Sequence, residues 1–176
     1  MIRSFQGKTP KIHPTAFISE TAYLVGHVEV GERANIWPGA VIRADNDTIS
    51  VGKNVSIQEN TVVHLGRAPL TIEDNVLIGH ACVVHCVRIG HHCLIGNQAT
   101  ILDGVDIGSY CIVAAGAVVL ENTKVPEGSF VVGAPAQVRP LSDKQRERLE
   151  HIADHYINRG AEFKAEGLEG PDRYAY

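Results

Sequence analysis

Residues 12–42 decide the fold and read IHPTAFISETAYLVGHVEVGERANIWPGAVI. An aliphatic residue stands at every sixth position: Ile12, Ile18, Leu24, Val30, Ile36 and Ile42. Four positions after the first five of these comes a second, mostly small residue: Ala16, Ala22, Val28, Ala34 and Ala40. A period of six suits neither a 3.6-residue helix nor a simple alternating strand, but it suits short strands joined by tight corners. The stretch therefore predicts a repetitive all-β structure.

The same series continues along most of the chain after two short insertions and one five-residue step. Its later members are Val51, Ile57, Val63, Ile72, Ile78, Val84, Ile89, Ile95, Ile101, Ile107, Val113, Val119, Val125 and Val131. Three such strands make one triangular coil, with one large and one small residue pointing inward per strand. We therefore predict an all-β solenoid, a parallel β-helix of hexapeptide repeats, as one domain over residues 1–140.

The repeat stops near residues 133–135, and a helix is predicted to follow over residues 141–166. Ser142 precedes a run of helix-forming residues and is a good N-cap. Apolar residues near helical spacing predict that this helix packs on the solenoid or on a neighbouring subunit, and these are Leu149, Ile152, Tyr156 and Phe163. Gly160 is a candidate interruption or end of the helix. Residues 167–176 carry no pattern and are expected to form a tail.

Composition narrows the classes of function. The chain has 176 residues, 44% of them hydrophobic, and 16 basic against 20 acidic side chains. This balance offers no basic surface for nucleic acid, and no segment has the roughly 18 consecutive apolar residues of a membrane span. We expect one soluble cytoplasmic domain that binds neither nucleic acid nor membrane. The four cysteines form no CxxC pair, and Cys82, Cys93 and Cys111 occupy inward positions of the repeat. These three are predicted to be buried thiols without disulfides or metal.

A column of polar residues is predicted on one side of the solenoid. The three sides of a coil are labelled A, B and C. On side C the aliphatic residues Ile42, Val63 and Val84 are followed directly by Arg43, His64 and His85, which are separated by steps of 21 residues. Equal steps place His64 and His85 on adjacent coils, about 4.8 Å apart. At that separation two imidazoles can share one metal ion whose nitrogen ligands lie at about 2.0–2.1 Å.

A third histidine, His80, falls on side B, in the column of Glu59 and Asn97. If three chains pack about a threefold axis, side C of one chain faces side B of the next. His80 then meets the neighbour's His64 and His85, and Arg43 meets the neighbour's Glu59 in an ion pair. The simpler interpretation of any single exposed histidine is that it is solvated. For the helical pair His151 and His155, which is spaced to bind metal, the solvated interpretation is preferred.

The motifs Arg43-Ala44-Asp45, Gln58-Glu59-Asn60, His64 and Ile78-Gly79-His80 through His85 resemble the gamma-class carbonic anhydrase family of the hexapeptide-repeat superfamily. The resemblance spans nearly the whole chain. It implies a left-handed β-helix and a homotrimer with three intersubunit metal sites. Ligands matching His64, His80 and His85 would hold zinc, or iron or cobalt as in some members.

The resemblance implies reversible hydration of carbon dioxide to bicarbonate. Three imidazoles leave a coordination position for water, the metal lowers the pKa of that water toward about 7, and the resulting hydroxide attacks carbon dioxide. Gln58 matches a residue that orients the hydroxide or bicarbonate, Arg43 and Asp45 match a structural or substrate-orienting pair, and Tyr156 matches a helix tyrosine near the pocket. Glu59 stands beside the site where aspartate is common. Residues 65–69 lack the acidic residue that serves one branch of the family as a proton shuttle.

Two other functions stay open. The segment 132–137, Val-Gly-Ala-Pro-Ala-Gln, resembles the loop that hexapeptide acyltransferases place near coenzyme A, although no separate histidine is placed as a general base. An acyl-coenzyme A-dependent acyltransferase is therefore the main alternative. The other alternative is a non-catalytic trimer in which the metal only joins the subunits, and its site would be closed by a fourth protein ligand.

Overall fold

The computed structural model describes residues 1–66 and 68–170, so residues 171–176 of the predicted tail lie outside the described residues. The chain forms a parallel β-helix followed by helices, and this confirms the predicted fold class. The strands are β1 (Ile2–Arg3), β2 (Lys11–Ile12), β3 (Phe17–Ile18), β4 (Tyr23–Val30), β5 (Asn35–Ile36), β6 (Val41–Val51), β7 (Ser56–Ile57), β8 (Val62–His64), β9 (Leu70–Ile72), β10 (Leu77–Ile78), β11 (Val83–Val84), β12 (Arg88–Ile89), β13 (Leu94–Ile95), β14 (Thr100–Ile101), β15 (Asp106–Ile107), β16 (Ile112–Val113), β17 (Val118–Val119), β18 (Lys124–Val125), β19 (Ser129–Gly133) and β20 (Ala136–Pro140).

The strands stack into three sides. Side B is an eight-stranded sheet in the order β3, β5, β7, β10, β13, β16, β19, β20. Sides A and C form one 12-stranded sheet, because the long strands β4 and β6 run around the corner between them and pair on both sides. Each strand pairs in parallel with the equivalent strand of the next coil, as Ile42 does with Val63 and Val63 with Val84. Residues that were predicted to share a column are therefore neighbours on adjacent coils.

The core lies inside the triangular coil and consists mainly of the two predicted series, to which the insertions and the five-residue step add Ala44, Ile49, Leu65, Leu70 and Cys86. Every aliphatic residue of the first series is buried except Ile12, which is partly buried at the open end. The second series, from Ala16 to Ala117, is buried throughout. Removal of this apolar surface from water is the main stabilisation of the solenoid.

Glycines allow adjacent coils to approach closely at the corners. Gly26 has φ of +86°, and a Cβ there would lie 2.1 Å from the carbonyl oxygen of Ala44 in the next coil. At Gly31 the φ is ordinary, yet a Cβ would lie 2.7 Å from the carbonyl carbon of Gly52. Any larger residue at these positions would push the coils apart.

The C-terminal segment lies on the solenoid as α1 (Asp143–Leu149) and α2 (Asp154–Ala165). Ser142 caps α1 in a capping box with Gln145, as its side chain accepts from the Gln145 N–H while the Gln145 side chain accepts from the Ser142 N–H. The predicted continuous helix is divided at residues 150–153. There the backbone bonds tighten to a three-residue spacing, from Glu150 N–H to the Glu147 carbonyl and from Ile152 N–H to the Leu149 carbonyl.

The packing of α2 corrects the expectation for Gly160. This residue neither interrupts nor ends the helix; it lies within α2 and is buried. A Cβ at Gly160 would be 2.9 Å from the Cβ of Asn35, so the glycine lets α2 approach side B closely. Phe163 then packs edge-on against Trp37, with ring centroids 5.1 Å apart, and against Phe17 at 5.8 Å. None of the described helices is long and apolar enough to cross a membrane.

A hairpin ends the solenoid. Strand β20 pairs antiparallel with β19, from Ser129 with Pro140 to Gly133 with Ala136. The segment 132–137 is the tip of this hairpin. Because β20 covers the edge of side B, it limits pairing of that edge with another chain.

The four cysteines are free and buried, including Cys86, whose burial the repeat pattern did not reveal. Burial raises the pKa of the Cys86 thiol to about 12, so it stays protonated at neutral pH. Because reagents reach buried thiols slowly, we expect a native-state titration with a thiol reagent to be slow for the three predicted core cysteines, Cys82, Cys93 and Cys111, and also for Cys86. Denatured protein, in which all four thiols react fast, is the control. Rapid modification of the native thiols would contradict the inward placement of these residues.

Candidate metal centre

Two histidines face each other on side C. Arg43 on β6 pairs with His64 on β8, and His85 follows β11 on the next coil. The rings of His64 and His85 have centroids 4.8 Å apart and are tilted by 39°. Nδ1 of His64 lies 2.8 Å from Nε2 of His85, so these two nitrogens face each other directly. The structure therefore brings together the two histidines that the 21-residue steps placed in one column.

This histidine pair fits a divalent metal. Nitrogen ligands at about 2.0–2.1 Å in a tetrahedral site lie about 3.3 Å from one another. The observed separation of 2.8 Å is therefore within about half an ångström of what two ligands of one ion require. An ion bound there would be held by neutral imidazoles, through the lone pairs of these two nitrogens.

Arg43 and Asp45 fix the ring of His64. Nε2 of His64 donates to Oδ1 of Asp45 at 3.0 Å, and a terminal guanidinium nitrogen of Arg43 lies 3.2 Å from Nδ1 of His64. Arg43 also forms an ion pair with Asp45. Partial burial raises the pKa of the Asp45 carboxyl, but hydrogen bonds from His64 and Arg43 outweigh it and hold the pKa below its usual value. With Nε2 donating to a carboxylate, Nδ1 of His64 keeps its lone pair on the side of His85.

A second carboxylate, Asp103, holds His85. Its Oδ1 lies 2.9 Å from Nδ1 of His85, which leaves Nε2 as the nitrogen that faces His64. Sequence analysis did not single out Asp103. Strand β14 pairs Ile101 with Val84, so the residue level with His85 is Leu102, and Asp103 is one position further. Its position 18 residues after His85, the length of one regular coil, was the available signal.

A cavity of about 450 Å³ adjoins the pair. It is lined by Asn46, His64, Leu65, Gly66, Ala68, His85, Cys86, Val87, Asp103 and Gly104. The side chains of His64 and His85 remain 17% and 25% exposed. A small molecule can therefore reach the histidines from this side.

The other predicted site residues lie together on side B. Nδ1 of His80 is 2.7 Å from Oε2 of Glu59. Both residues, with the buried Gln58 and with Tyr156 of α2, line a cavity of about 360 Å³ whose remaining walls are Trp37, Arg159 and Phe163. The structure thus groups Gln58, Glu59, His80 and Tyr156, but on a different side from His64 and His85.

One chain does not contain a complete metal site. Among residues 1–66 and 68–170, no three His, Cys, Asp or Glu side chains are grouped so that they could hold a metal ion. His64 and His85 supply two nitrogens on side C, and His80 supplies a third on side B. The helical histidines make local contacts instead: His151 lies 3.0 Å from Asp154, and His155 packs edge-on against Tyr156. No site made of all three histidines is formed within the described residues of one chain.

Comparisons with known proteins show which family the chain belongs to. Residues 69–103 and 87–121 match the family described as bacterial transferase hexapeptide (six repeats). The chain is 38% identical to a carbonic anhydrase of Geobacillus kaustophilus, over 94% of this chain and 92% of that protein. It is 36% identical to the mitochondrial gamma carbonic anhydrase 2 of Arabidopsis thaliana, over 86% of this chain. That match covers 57% of the plant protein, so the chain spans less than two thirds of the plant relative.

The fold also matches a solved structure. A crystal structure of a hexapeptide transferase family protein from Anaplasma phagocytophilum superposes with a TM-score of 0.88 and 32% identity, covering 93% of this chain and 98% of that one. Likeness over nearly the full length of the Geobacillus carbonic anhydrase is decisive for the family. The chain belongs to the gamma carbonic anhydrase-like family of hexapeptide-repeat proteins.

Proposed function

We propose that this protein is a metal-dependent carbonic anhydrase-like enzyme that hydrates carbon dioxide reversibly at the interfaces of a homotrimer. In each site His64 and His85 come from one chain and His80 comes from its neighbour. The observation that carries the proposal is the pair of imidazole nitrogens 2.8 Å apart on side C, with the third histidine on side B of the same chain. Carbonic anhydrases among the relatives support the choice of reaction.

Exposed apolar side chains support the assembly. Val62 and Val83, which directly precede the two aliphatic core residues next to the histidines, are 40% and 42% exposed on side C. An apolar strip beside two metal ligands is better explained by a covering subunit than by solvent. Three chains related by a threefold axis would cover side C of each chain with side B of the next.

The proposed metal is zinc, with iron or cobalt as alternatives. Bound to three neutral imidazoles, such an ion would lower the pKa of a water molecule toward neutral and so would supply hydroxide near neutral pH. The Asp45 carboxylate holds His64 in the required ring orientation through its 3.0 Å hydrogen bond. Arg43 neutralises that carboxylate and remains about half exposed, so its guanidinium can also approach bicarbonate.

Gln58 and Tyr156 are proposed to orient carbon dioxide or bicarbonate from side B. They line one cavity with His80, so the chain that gives its His80 to a site also brings an amide and a phenol to it. Both groups can donate a hydrogen bond to a bicarbonate oxygen. Burial of Gln58, which is 3% exposed, limits its motion and favours a fixed orientation.

A discriminating experiment compares two activities of one preparation. Protein purified with and without oxygen is analysed for metal, then assayed for carbon dioxide hydration and for acetyl-coenzyme A binding. We expect hydration in proportion to bound metal and no specific binding of acetyl-coenzyme A. Tight acetyl-coenzyme A binding by protein that lacks hydration activity at full metal occupancy would overturn the proposed function.

An acyl-coenzyme A-dependent acyltransferase is the second candidate. The Anaplasma structure is named a hexapeptide transferase family protein, and the matching repeat family is described as a transferase. The segment 132–137 that resembles an acyltransferase loop is the tip of the closing hairpin. The facing histidine pair has no evident use in that reaction, which is why hydration is preferred. A third possibility, a purely structural metal, requires a fourth protein ligand in the assembled site.

Arg43→Ala is expected to weaken the trimer as well as the activity. Arg43 and Glu59 contact Asp45 and His80 within the chain but keep 48% and 39% of their side chains exposed, so they can also pair across the proposed interface. Loss of one partner of a desolvated ion pair costs about 2–5 kcal/mol. Sedimentation over a dilution series measures the effect, with Glu59→Gln expected to weaken assembly similarly. Arg33→Ala, which removes an arginine with only a local Glu32 contact, is the control. An Arg43→Ala trimer as stable as wild type contradicts the pairing.

A further inference from the structure

We propose that Asp103 is a positioning residue for the metal ligand His85, and that Gly66 provides the space in which Asp103 does this. The inference rests on the proposed function, because it assigns His85 to the metal. Asp103 lies on the coil that follows His85, and its Oδ1 is 2.9 Å from Nδ1 of the imidazole. That nitrogen is the one turned away from His64.

The close contact with Asp103 favours one nitrogen of His85 for metal binding. A carboxylate is only an acceptor, so its oxygen 2.9 Å from Nδ1 favours the tautomer of His85 with the hydrogen on that nitrogen. Nε2 is then the nitrogen whose lone pair can be offered to an ion on the His64 side. A carboxylate on the far nitrogen also raises the basicity of the imidazole and fixes the ring plane. Asp103 therefore orients the ring of His85, as Asp45 orients the ring of His64.

Gly66 makes room for the carboxylate. A Cβ built on Gly66 would lie 2.4 Å from Oδ1 of Asp103 and 3.8 Å from Cε1 of His85. Contacts below 3 Å between such atoms are not tolerated, so any side chain at position 66 displaces the same oxygen that holds His85. Gly66 directly follows Leu65, which is fully buried, so the backbone there is anchored and cannot easily retreat. Residue 66 must therefore be glycine if the Asp103 carboxylate is to keep its position beside His85.

Asp103 differs from the other charged residues of its region. Asp106, three residues later, pairs with Arg88 on side A, where no metal ligand is nearby. Asp103 instead faces the cavity that contains both histidines, and 56% of its side chain is exposed. The matched comparison between Asp103 and Asp106 separates the positioning effect from a general effect of removing a carboxylate.

The test measures zinc affinity by competition with a chromophoric chelator on the full-length protein. Asp103→Ala should bind zinc about 10–100-fold more weakly than wild type, as loss of an outer-shell carboxylate generally does. Asp103→Asn keeps an acceptor oxygen and should recover part of that loss. Asp106→Ala should stay within about twofold of wild type, since additive, distant changes do not couple. With cobalt in place of zinc, the visible absorption spectrum should change in Asp103→Ala but not in Asp106→Ala.

Gly66→Ala is a second, independent variant for the zinc-affinity test. It should weaken zinc binding about as much as Asp103→Ala, although every ligand and Asp103 itself remain. The double variant should be no worse than Asp103→Ala alone, because both changes remove the same contact between Asp103 and His85. Zinc binding by Asp103→Ala as tight as that of wild type overturns the inference. A lack of zinc binding by both Asp103→Ala and wild type also overturns it. The proposed function fails separately, if zinc-loaded wild type does not hydrate carbon dioxide.

Discussion

Mixed trimers assembled from His64→Ala and His80→Ala chains are expected to regain zinc and carbon dioxide hydration that neither parent shows. His64 lies on side C and His80 on side B. An intact site can therefore form where side C of a His80→Ala chain meets side B of a His64→Ala chain. Random assortment of equal amounts gives this combination at about a quarter of the interfaces of a cyclic trimer.

The complementation experiment has a matched control. The two variants are co-refolded with different affinity tags, the mixed trimers are purified through both tags, and zinc content and hydration are measured. Mixing His64→Ala with His85→Ala chains should restore nothing. Both substitutions lie on side C, so every interface lacks either His64 or His85. No recovery in proven mixed trimers of the first pair, or equal recovery in both pairs, would contradict a site shared between chains.

His85→Ala is expected to abolish stable metal binding. The substitution removes one of two facing nitrogens and leaves His64 without its partner at 2.8 Å. The loss of zinc affinity should exceed the 10–100-fold effect typical of an outer-shell residue, and so reach at least about 100-fold. Hydration should fall in parallel, since the ion supplies the hydroxide. Metal analysis after dialysis, with a stopped-flow hydration assay, measures both effects.

His151→Ala is the control for this substitution. His151 is 80% exposed on the helical segment and contacts Asp154, so its loss should leave metal content and hydration unchanged. The same variant tests whether the His151 and His155 pair binds metal. Full zinc occupancy in His85→Ala together with metal loss in His151→Ala would show that the metal binds at the helices and not on side C.

The solenoid could be predicted almost completely because its core repeats. Each aliphatic residue that the six-residue period specifies from Ile18 to Val131 is buried. Features outside the period escaped prediction. The closing strand β20 has no repeat, and the break between α1 and α2 arises from a tightened turn rather than from Gly160, which packs against Asn35. The hand of the coil is implied by the family resemblance alone, because the spacing is the same for either hand.

The metal centre could be predicted in part for the same reason. Steps of 21 residues placed His64 beside His85, and the structure has these rings 4.8 Å apart. The carboxylate on His85 was missed because the five-residue step before Ile89 moves the register, so that Leu102 rather than Asp103 is level with His85. Contacts that reach across a corner, such as those of Asp103 and Gly66, depend on backbone positions that periodicity does not describe.

The site that two chains are proposed to share is tested most directly by diffraction from zinc-loaded crystals at wavelengths on either side of the zinc absorption edge. We expect one anomalous peak per chain, at an interface, bounded by His64 and His85 of one chain and His80 of the next, with a remaining coordination position open to water. A peak whose ligands all come from one chain would contradict the shared site. A peak closed by a fourth protein ligand would contradict its catalytic role.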